Sequence, residues 1–433
     1  MKSSNIVINS SPILSGQICI PGDKSITHRA IILGSLADGD LTIYHPLLAD
    51  DCLKTLNIFK QLGVKIETDD KNLIVRGRGL LSLNKPSEKL DAGNSGTLMR
   101  LLAGVLCAQN FSSTIIGDKS LCQRPMDRII NPLSKMGAQI SSKDGLPPLT
   151  IKPVDDIKAI DYKSPIASAQ IKSCLLLCGM FAKGETIVTE AIKTRDHTES
   201  LLKYLDYPVQ VDGNKISIKG LHAIKPKDIF VPSDISSAAF FIVAALIKKG
   251  SDVIFKNIGI NPLRTGILDV LIGMGANITI TNKHISGSEL VADLRVKSST
   301  LQPAKVSGSI VSRLIDEFPI LFIACTSCHG VSEFSDIAEL RNKESDRISS
   351  MEKGLMKLGI TVQSTVSSIS IKGGVMKGGI VDSFDDHRVA MSFIIAGLIS
   401  DKPITVLNTS NINTSFPNFF SNLKDQNIET YLI

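Results

Sequence analysis

One outline, first seen from Pro21 to Gly39, is present in six copies along the chain, and that repetition limits the possible folds more than any other feature. In PGDKSITHRAIILGSLADG a polar, charged opening (Lys24, Ser25, Thr27, His28, Arg29) turns apolar from Ala30 to Ala37 and stops at Gly39. This predicts a helix with a cationic mouth. The outline returns at Asn94 to Ala108, Ser168 to Phe181, Ser236 to Ile247, Asp316 to Cys328 and Asp386 to Ile399. Each apolar run leads into a β-like run (LTIY, STII, ETIVTE, DVIF, VSEF, ITVL) and then an amphipathic helix that ends in a recurring phrase. The phrase reads QLGVKI at Gly63, KMGAQI at Gly137, GMGANI at Gly275 and KLGITV at Gly359, with degraded forms near Pro208 and Asn427. These positions lie 74, 71, 67, 84 and 68 residues apart. A unit of fixed order and nearly constant length is a duplicated supersecondary element.

A helix apolar on every side must be enclosed by protein, so the first helix of each copy is expected inside, with sheets and amphipathic helices around it. Its N-terminus carries unpaired N–H groups and partial positive charge, which attract anions. Parallel interior helices would bring their mouths to one surface, suited to phosphates or carboxylates. A chain of 433 residues exceeds what one core supports. Two domains of three copies follow, with the crossing at Pro232 to Asp234.

The net charge of +6 is a mild basic excess, spread without a Lys/Arg run. Aromatic residues are 5%, Trp is absent and no nucleic-acid-binding signature occurs, so small acidic ligands fit better than nucleic acid. The N-terminal stretch MKSSNIVINSSPILSGQICI alternates like a strand and lacks the apolar core of a signal peptide. The longest apolar runs are too short to span a bilayer. A cytoplasmic protein without a membrane segment is expected. Several of the eight cysteines sit in apolar helices as reduced core thiols. CTSCH at Cys325 to His329 matches a haem attachment pattern, but it closes an apolar run and is set aside.

Lys24 at a helix N-terminus opposes the dipole, and an anion there would resolve the conflict. Asn94, Ser95, Gly96, Thr97 and Arg100 form the second mouth, where small residues admit a ligand close to backbone amides. Arg124 precedes Pro125, which fixes the backbone beside a guanidinium able to grip an anion at two points. Ser168, Ala169, Gln170 and Lys172 open the third mouth. In KTRDHTESLL, capping suits Asp196 and Thr198, while Arg195 could reach a ligand. Asp316 and Glu317 open the fifth interior helix, where acids favour the dipole. The alternating charges of ELRNKESDRI read as a solvated helix face, and Asp386, His387 and Arg388 stand at the sixth mouth.

The segments GDKSITHR, NSGTLMR, GDKSLCQRPM, SAQIKS, TRDHT, IDEFP, LRNKESDR, DDHR and TSFP, in that order from Gly22 to Pro417, resemble the 5-enolpyruvylshikimate-3-phosphate synthase family of enolpyruvyl transferases. The resemblance implies an α/β fold, a two-domain inside-out α/β barrel built from six βαβαββ-type repeats, three per domain. Residues 22–233 would form the first domain and residues 1–21 plus 234–433 the second, with the active site in the cleft between them. It implies transfer of the enolpyruvyl group of phosphoenolpyruvate to the 5-hydroxyl of shikimate 3-phosphate, in aromatic amino acid biosynthesis, by a monomer without cofactor or metal. Lys24, Ser25, Arg29, Ser168, Gln170, Asp316 and Lys343 would hold shikimate 3-phosphate. Lys24, Gly96, Arg124, Gln170, Arg347 and Arg388 would hold phosphoenolpyruvate, the site that glyphosate occupies in this family. Asp316, Glu344 and Lys24 would be catalytic, with Asn94, Arg195 and His387 as secondary candidates. One departure is Thr414, where some members carry Lys two residues before Phe-Pro.

The sister UDP-N-acetylglucosamine enolpyruvyltransferases differ in having Lys-Asn near the start and a loop Cys five residues before Arg-Pro. This chain has Lys24-Ser25 and, at the second point, Lys119. A noncatalytic anion-binding repeat protein would have no need of both carboxylates among the cations.

Overall fold

Six helices that are apolar all round need cover on every side, and the computed structural model, which describes residues 5–8 and 12–432, provides it in two units. The N-terminal unit is Gly22–Val231 with Ile285–Glu289; the C-terminal unit is Met1–Pro21, Pro232–His284 and Leu290–Ile433. The N-terminal unit contains helices Lys24–Ser35 (α1), Asp50–Gln61 (α2), Gly96–Leu106 (α3), Asp127–Lys135 (α4), Ala169–Gly179 (α5) and His197–Tyr204 (α6). The C-terminal unit contains Ile235–Ile247 (α7), Gly266–Gly273 (α8), Phe318–Thr326 (α9), Arg347–Lys357 (α10), His387–Ala396 (α11) and Phe419–Asp425 (α12). The odd-numbered helices are the interior ones. Every residue of α9, and every residue of α7 except Ile247, is buried. Phe240 and Phe241 of α7 meet Phe416 and Phe419 at ring-centroid distances of 5.5 to 6.3 Å. Each such ring contributes roughly 1.5–3 kcal/mol by leaving water.

Among the described residues there are six four-stranded sheets of one design. Each opens with a parallel pair and continues with an antiparallel partner. In four copies the leading strand and the interior helix after it share a sheet and its unit. In the other two they are exchanged. Ser15–Gln17, just before α1, pairs with Asp252–Gly259 of the C-terminal unit, while Ile229–Phe230, just before α7, pairs with Asp40–Tyr44 of the N-terminal unit. Ile6–Ile8 lies between Ile404–Leu407 and Thr430–Leu432 in the sixth sheet. The alternating N-terminal stretch is therefore two short strands in two sheets; residues 1–4 and 9–11 of it lie outside the described residues.

The recurring closing phrase has a conformational cause. Gly63, Gly137, Gly275 and Gly359 all have φ between +86° and +93°, the left-handed cap that ends a helix with least strain in glycine. In the degraded copies the left-handed residues are Asp206 and Asn427, both with φ +56°. Asp and Asn tolerate this region better than other side chains. The third copy thus closes at Asp206, two residues before the Pro208 expected from the sequence.

Cys325 and Cys328 of CTSCH are buried in the core, and burial pushes their thiols up to about 12 and about 11. They remain protonated and unreactive at neutral pH. Among the described residues no helix is long and apolar enough to cross a membrane.

Helices α3 and α5 touch through Gly104, where a Cβ would stand 2.3 Å from the carbonyl oxygen of Cys174. Backbone cannot yield as a flexible side chain does, so Gly104→Ala is expected to cost about 1–3 kcal/mol of stability. Urea unfolding followed by circular dichroism checks this; an unchanged midpoint would show that the helices separate freely.

Candidate active site

Helix mouths buried in protein need their N–H groups satisfied, and this chain does it largely with its own side chains. Asp23 accepts from Ile26 N at 2.9 Å, Ser95 from Leu98 N at 3.2 Å and Ser168 from Ile171 N at 3.4 Å. In the C-terminal unit Asp234 accepts from Ser236 N and Asp386 from Arg388 N, both at 2.9 Å. The mouths are thus less open to anions than their sequence suggests, and arginine and lysine side chains carry most of the positive charge.

In the N-terminal unit, Lys24 is the first residue of α1, and its Nζ meets Asp51 Oδ2 of α2 at 3.0 Å. The protein itself supplies the counter-charge that the sequence called for. Arg29, one turn on, is buried: its Nη1 donates to Ser25 O at 2.9 Å, Nε to Thr198 Oγ1 at 2.7 Å and Nη2 to Ser173 Oγ at 2.7 Å. Burial draws its pKa down to about 10, so it stays a cation. Thr198 is therefore an acceptor for Arg29, and the capping role expected of it is not seen; nor does Asp196 cap α6 through its side chain. Lys172 turns inward, with Nζ 2.8 Å from Glu190 Oε2 and 2.7 Å from Glu199 Oε1. Burial lowers its pKa, but the two carboxylates more than offset that and the net shift is upward.

Arg124 donates through Nη2 to Asn94 Oδ1 at 2.6 Å and to Ser120 Oγ at 3.2 Å, and through Nη1 to Asn94 O at 3.2 Å. Asn94 is thereby a positioning group. Arg100 Nη1 donates to Gln170 Oε1 at 2.5 Å, and Gln170 Nε2 donates to Thr97 Oγ1 at 2.9 Å. A Cβ on Gly96 would lie 3.1 Å from Arg100 Nη1 and 3.3 Å from Arg124 Nη1. Two guanidinium groups thus converge above the bare glycine at the start of α3. Arg195 is half-buried just before α6.

In the C-terminal unit the charged run around Lys343 is not a helix face. A 3-10 turn, Ala338–Asn342, comes first, and α10 starts only at Arg347, which is 1% exposed. Arg347 donates through Nε to Asp386 Oδ2 at 2.8 Å, through Nη2 to Glu344 Oε2 at 2.5 Å and through Nη1 to Asp316 Oδ1 at 3.4 Å. Burial lowers its pKa, but Asp386, Glu344 and Asp316 together shift it upward overall. Burial raises the Asp386 carboxyl and Arg347 lowers it further, leaving it below the ordinary range.

Asp316 lies before α9, which begins at Phe318. Its Oδ1 pairs with Lys343 Nζ at 3.0 Å. Arg388 Nη1 donates to Asp316 O at 3.0 Å, and buried His387 opens α11. Thr414 Oγ1 donates to Asn411 O at 2.7 Å inside a 3-10 turn, so the position is polar without a cation. Sequence reasoning missed Arg264. It is buried, donates to Ser236 Oγ at 2.6 Å and stands 3.8 Å from Glu317 Oε1. Nothing periodic in INPLRTG marks it.

Of the residues expected in the site, Lys24, Ser25, Arg29, Asn94, Gly96, Arg124, Ser168, Gln170 and Arg195 thus fall in the N-terminal unit, and Asp316, Lys343, Glu344, Arg347, His387 and Arg388 in the C-terminal unit. A family model described as EPSP synthase (3-phosphoshikimate 1-carboxyvinyltransferase) matches residues 8–423. The chain belongs to the EPSP synthase family. A protein from Legionella pneumophila named 3-phosphoshikimate 1-carboxyvinyltransferase is 48% identical over 421 residues, covering 96% of this chain and 97% of its own. One of the same name from Coxiella burnetii is 46% identical over 408 residues, 94% of this chain and 93% of its own. Among solved structures, EPSP synthase from Acinetobacter baumannii has a TM-score of 0.89 at 42% identity, covering 100% of both chains. The fold is the α/β fold of that family, and the chain is an enzyme of it; the sister-enzyme reading is not favoured.

His28 lies behind these cations, with Nδ1 2.6 Å from Thr55 Oγ1 and Nε2 3.5 Å from Ser95 Oγ. Burial first, then Lys24 and Arg29, lower its pKa to about 3. Between the ordinary value of 6.5 and about 3, the unfolded chain binds a proton that the folded chain refuses. Stability from this group is therefore complete above pH 6.5 and falls with acidification by about 1.4 kcal/mol per pH unit. Urea unfolding of wild type and His28→Asn at pH 6.5 and pH 5 reads this directly: wild type should lose about 2 kcal/mol more than the variant over that interval. Equal losses would mean that His28 titrates normally when folded.

Proposed function

We propose that the chain transfers the enolpyruvyl group of phosphoenolpyruvate to the 5-hydroxyl of shikimate 3-phosphate and releases phosphate. The observation that carries this reading is the placement of two carboxylates, Asp316 and Glu344, on one buried arginine, Arg347, beside Lys343 and Arg388. Carboxylates beside buried cations also balance charge, but this reaction needs an acid and a base next to the cations that hold its anionic substrate. The methylene carbon of phosphoenolpyruvate must gain a proton for its neighbouring carbon to become electrophilic, and the attacking hydroxyl must lose one.

In this reading Glu344 supplies the methylene proton and Asp316 accepts the hydroxyl proton. The carbon–oxygen bond then forms to give a tetrahedral adduct that still carries phosphate. Elimination reverses the methylene proton transfer as the phosphate leaves, so the same acid and base serve both halves. Lys24, Arg124, Gln170, Arg347 and Arg388, with the backbone at Gly96, are assigned to the carboxylate and phosphate of phosphoenolpyruvate. Lys24, Ser25, Arg29, Ser168, Gln170 and Lys343, with Asp316 at the reacting hydroxyl, are assigned to shikimate 3-phosphate. In this reading the chain works as a monomer in the cytoplasm.

Phosphate release measured with each substrate alone and with both tests the assignment: turnover should require both. Asp316→Ala should bind shikimate 3-phosphate with a Kd near that of wild type while kcat drops by about 10²–10⁴, the usual worth of a positioned base. A near-normal kcat would remove Asp316 from the chemistry, and binding of both substrates without turnover in wild type would favour a noncatalytic anion-binding protein.

A further inference from the structure

We infer that Arg100 is a positioning residue for this reaction: it decides which edge of the Gln170 side-chain amide is offered to an anionic substrate. The inference rests on the functional reading above, in which Gln170 meets both substrates. An amide presents an acceptor on one side and a donor on the other, and only the donor helps to hold a phosphate or carboxylate. Something must therefore prevent Gln170 from turning over.

Thr97 cannot do so. Its hydroxyl takes the Gln170 Nε2 hydrogen at 2.9 Å, but a hydroxyl donates as readily as it accepts and would serve the reversed amide equally well. Arg100 can only donate. With its Nη1 2.5 Å from Gln170, the facing atom has to be Oε1. One Nε2 hydrogen goes to Thr97, and the other is the donor left for a ligand.

The arginine is itself well fixed: it is buried on α3, and its Nη2 reaches Pro125 O at 3.5 Å. Its helix and that of Gln170 approach so closely at Gly104 that the pair has little freedom to separate. The bare backbone of Gly96 completes the arrangement, because a Cβ there would press on Arg100 Nη1 as well as on Arg124 Nη1. Gly96 thus gives the amide's anchor the room that it needs.

A double-mutant cycle separates this from direct contact between Arg100 and substrate. Wild type, Arg100→Met, Gln170→Ala and the double variant are compared by kcat, by KM for phosphoenolpyruvate, and by calorimetric binding of phosphoenolpyruvate in the presence of shikimate 3-phosphate, which needs no turnover. Arg100→Met alone should raise KM and Kd about tenfold; in the Gln170→Ala background the same change should have less than a twofold effect. Arg100→Lys, which keeps a donor-only group and guards against misfolding of the Met variant, should stay within about threefold of wild type. A tenfold loss that persists without Gln170, or no loss in its presence, overturns the inference. Absence of turnover in wild type with binding and coupling intact would instead sink the functional reading, and absence of binding in wild type would sink both.

Discussion

An enclosed helix has to end somewhere polar, and that requirement shapes both the architecture and the site. The apolar flanks of α7 and α9 exclude water along their length, so the first turn is where backbone N–H groups must find partners. Five of the six interior helices use a side-chain oxygen of their own cap: Asp23, Ser95, Ser168, Asp234 and Asp386. The sixth, α9, has Glu317 at the cap position without such a bond. The repeat thus produces a series of polar ends, and the chemistry-bearing residues lie at or beside them.

Charge balance follows the same logic. Burying an isolated cation is expensive, and several of the deeply placed ones have carboxylate partners from the chain: Lys24 with Asp51, Lys172 with Glu190 and Glu199, Arg347 with three carboxylates; buried Arg29 instead donates to neutral oxygens. An anionic substrate reaching Lys24 or Arg347 competes with a carboxylate already in place, so binding is an exchange of partners. In the proposed reaction, such an exchange at Arg347 would alter the cation that Asp316 and Glu344 face.

The six copies have diverged where geometry permits. Gly closes four of them and Asp206 and Asn427 the other two, since these are the side chains that best tolerate a left-handed backbone. Leading strands have changed sheets at Ser15–Gln17 and Ile229–Phe230, so each unit contains one strand whose own helix belongs to the other. At Thr414 the hydroxyl is bound to Asn411 O, so that position carries no positive charge.

The six repeats, the enclosed helices, the family and the charged residues can all be read along the chain, because apolar run length, glycine caps and ordered motifs are local properties. How those charges are paired depends on packing between distant segments. The alternating signs of LRNKESDR suggest a solvated face, but α10 begins at a buried Arg347, and Asp316 is paired with Lys343 across 27 residues. Arg264 had no sequence signal, and although Thr97, Arg100 and Gln170 stand out as mouth residues, nothing in the sequence links them. Their partners lie 28 to 73 residues away, and a hydrogen bond depends on ångström-scale approach in space, which periodicity along a chain does not encode.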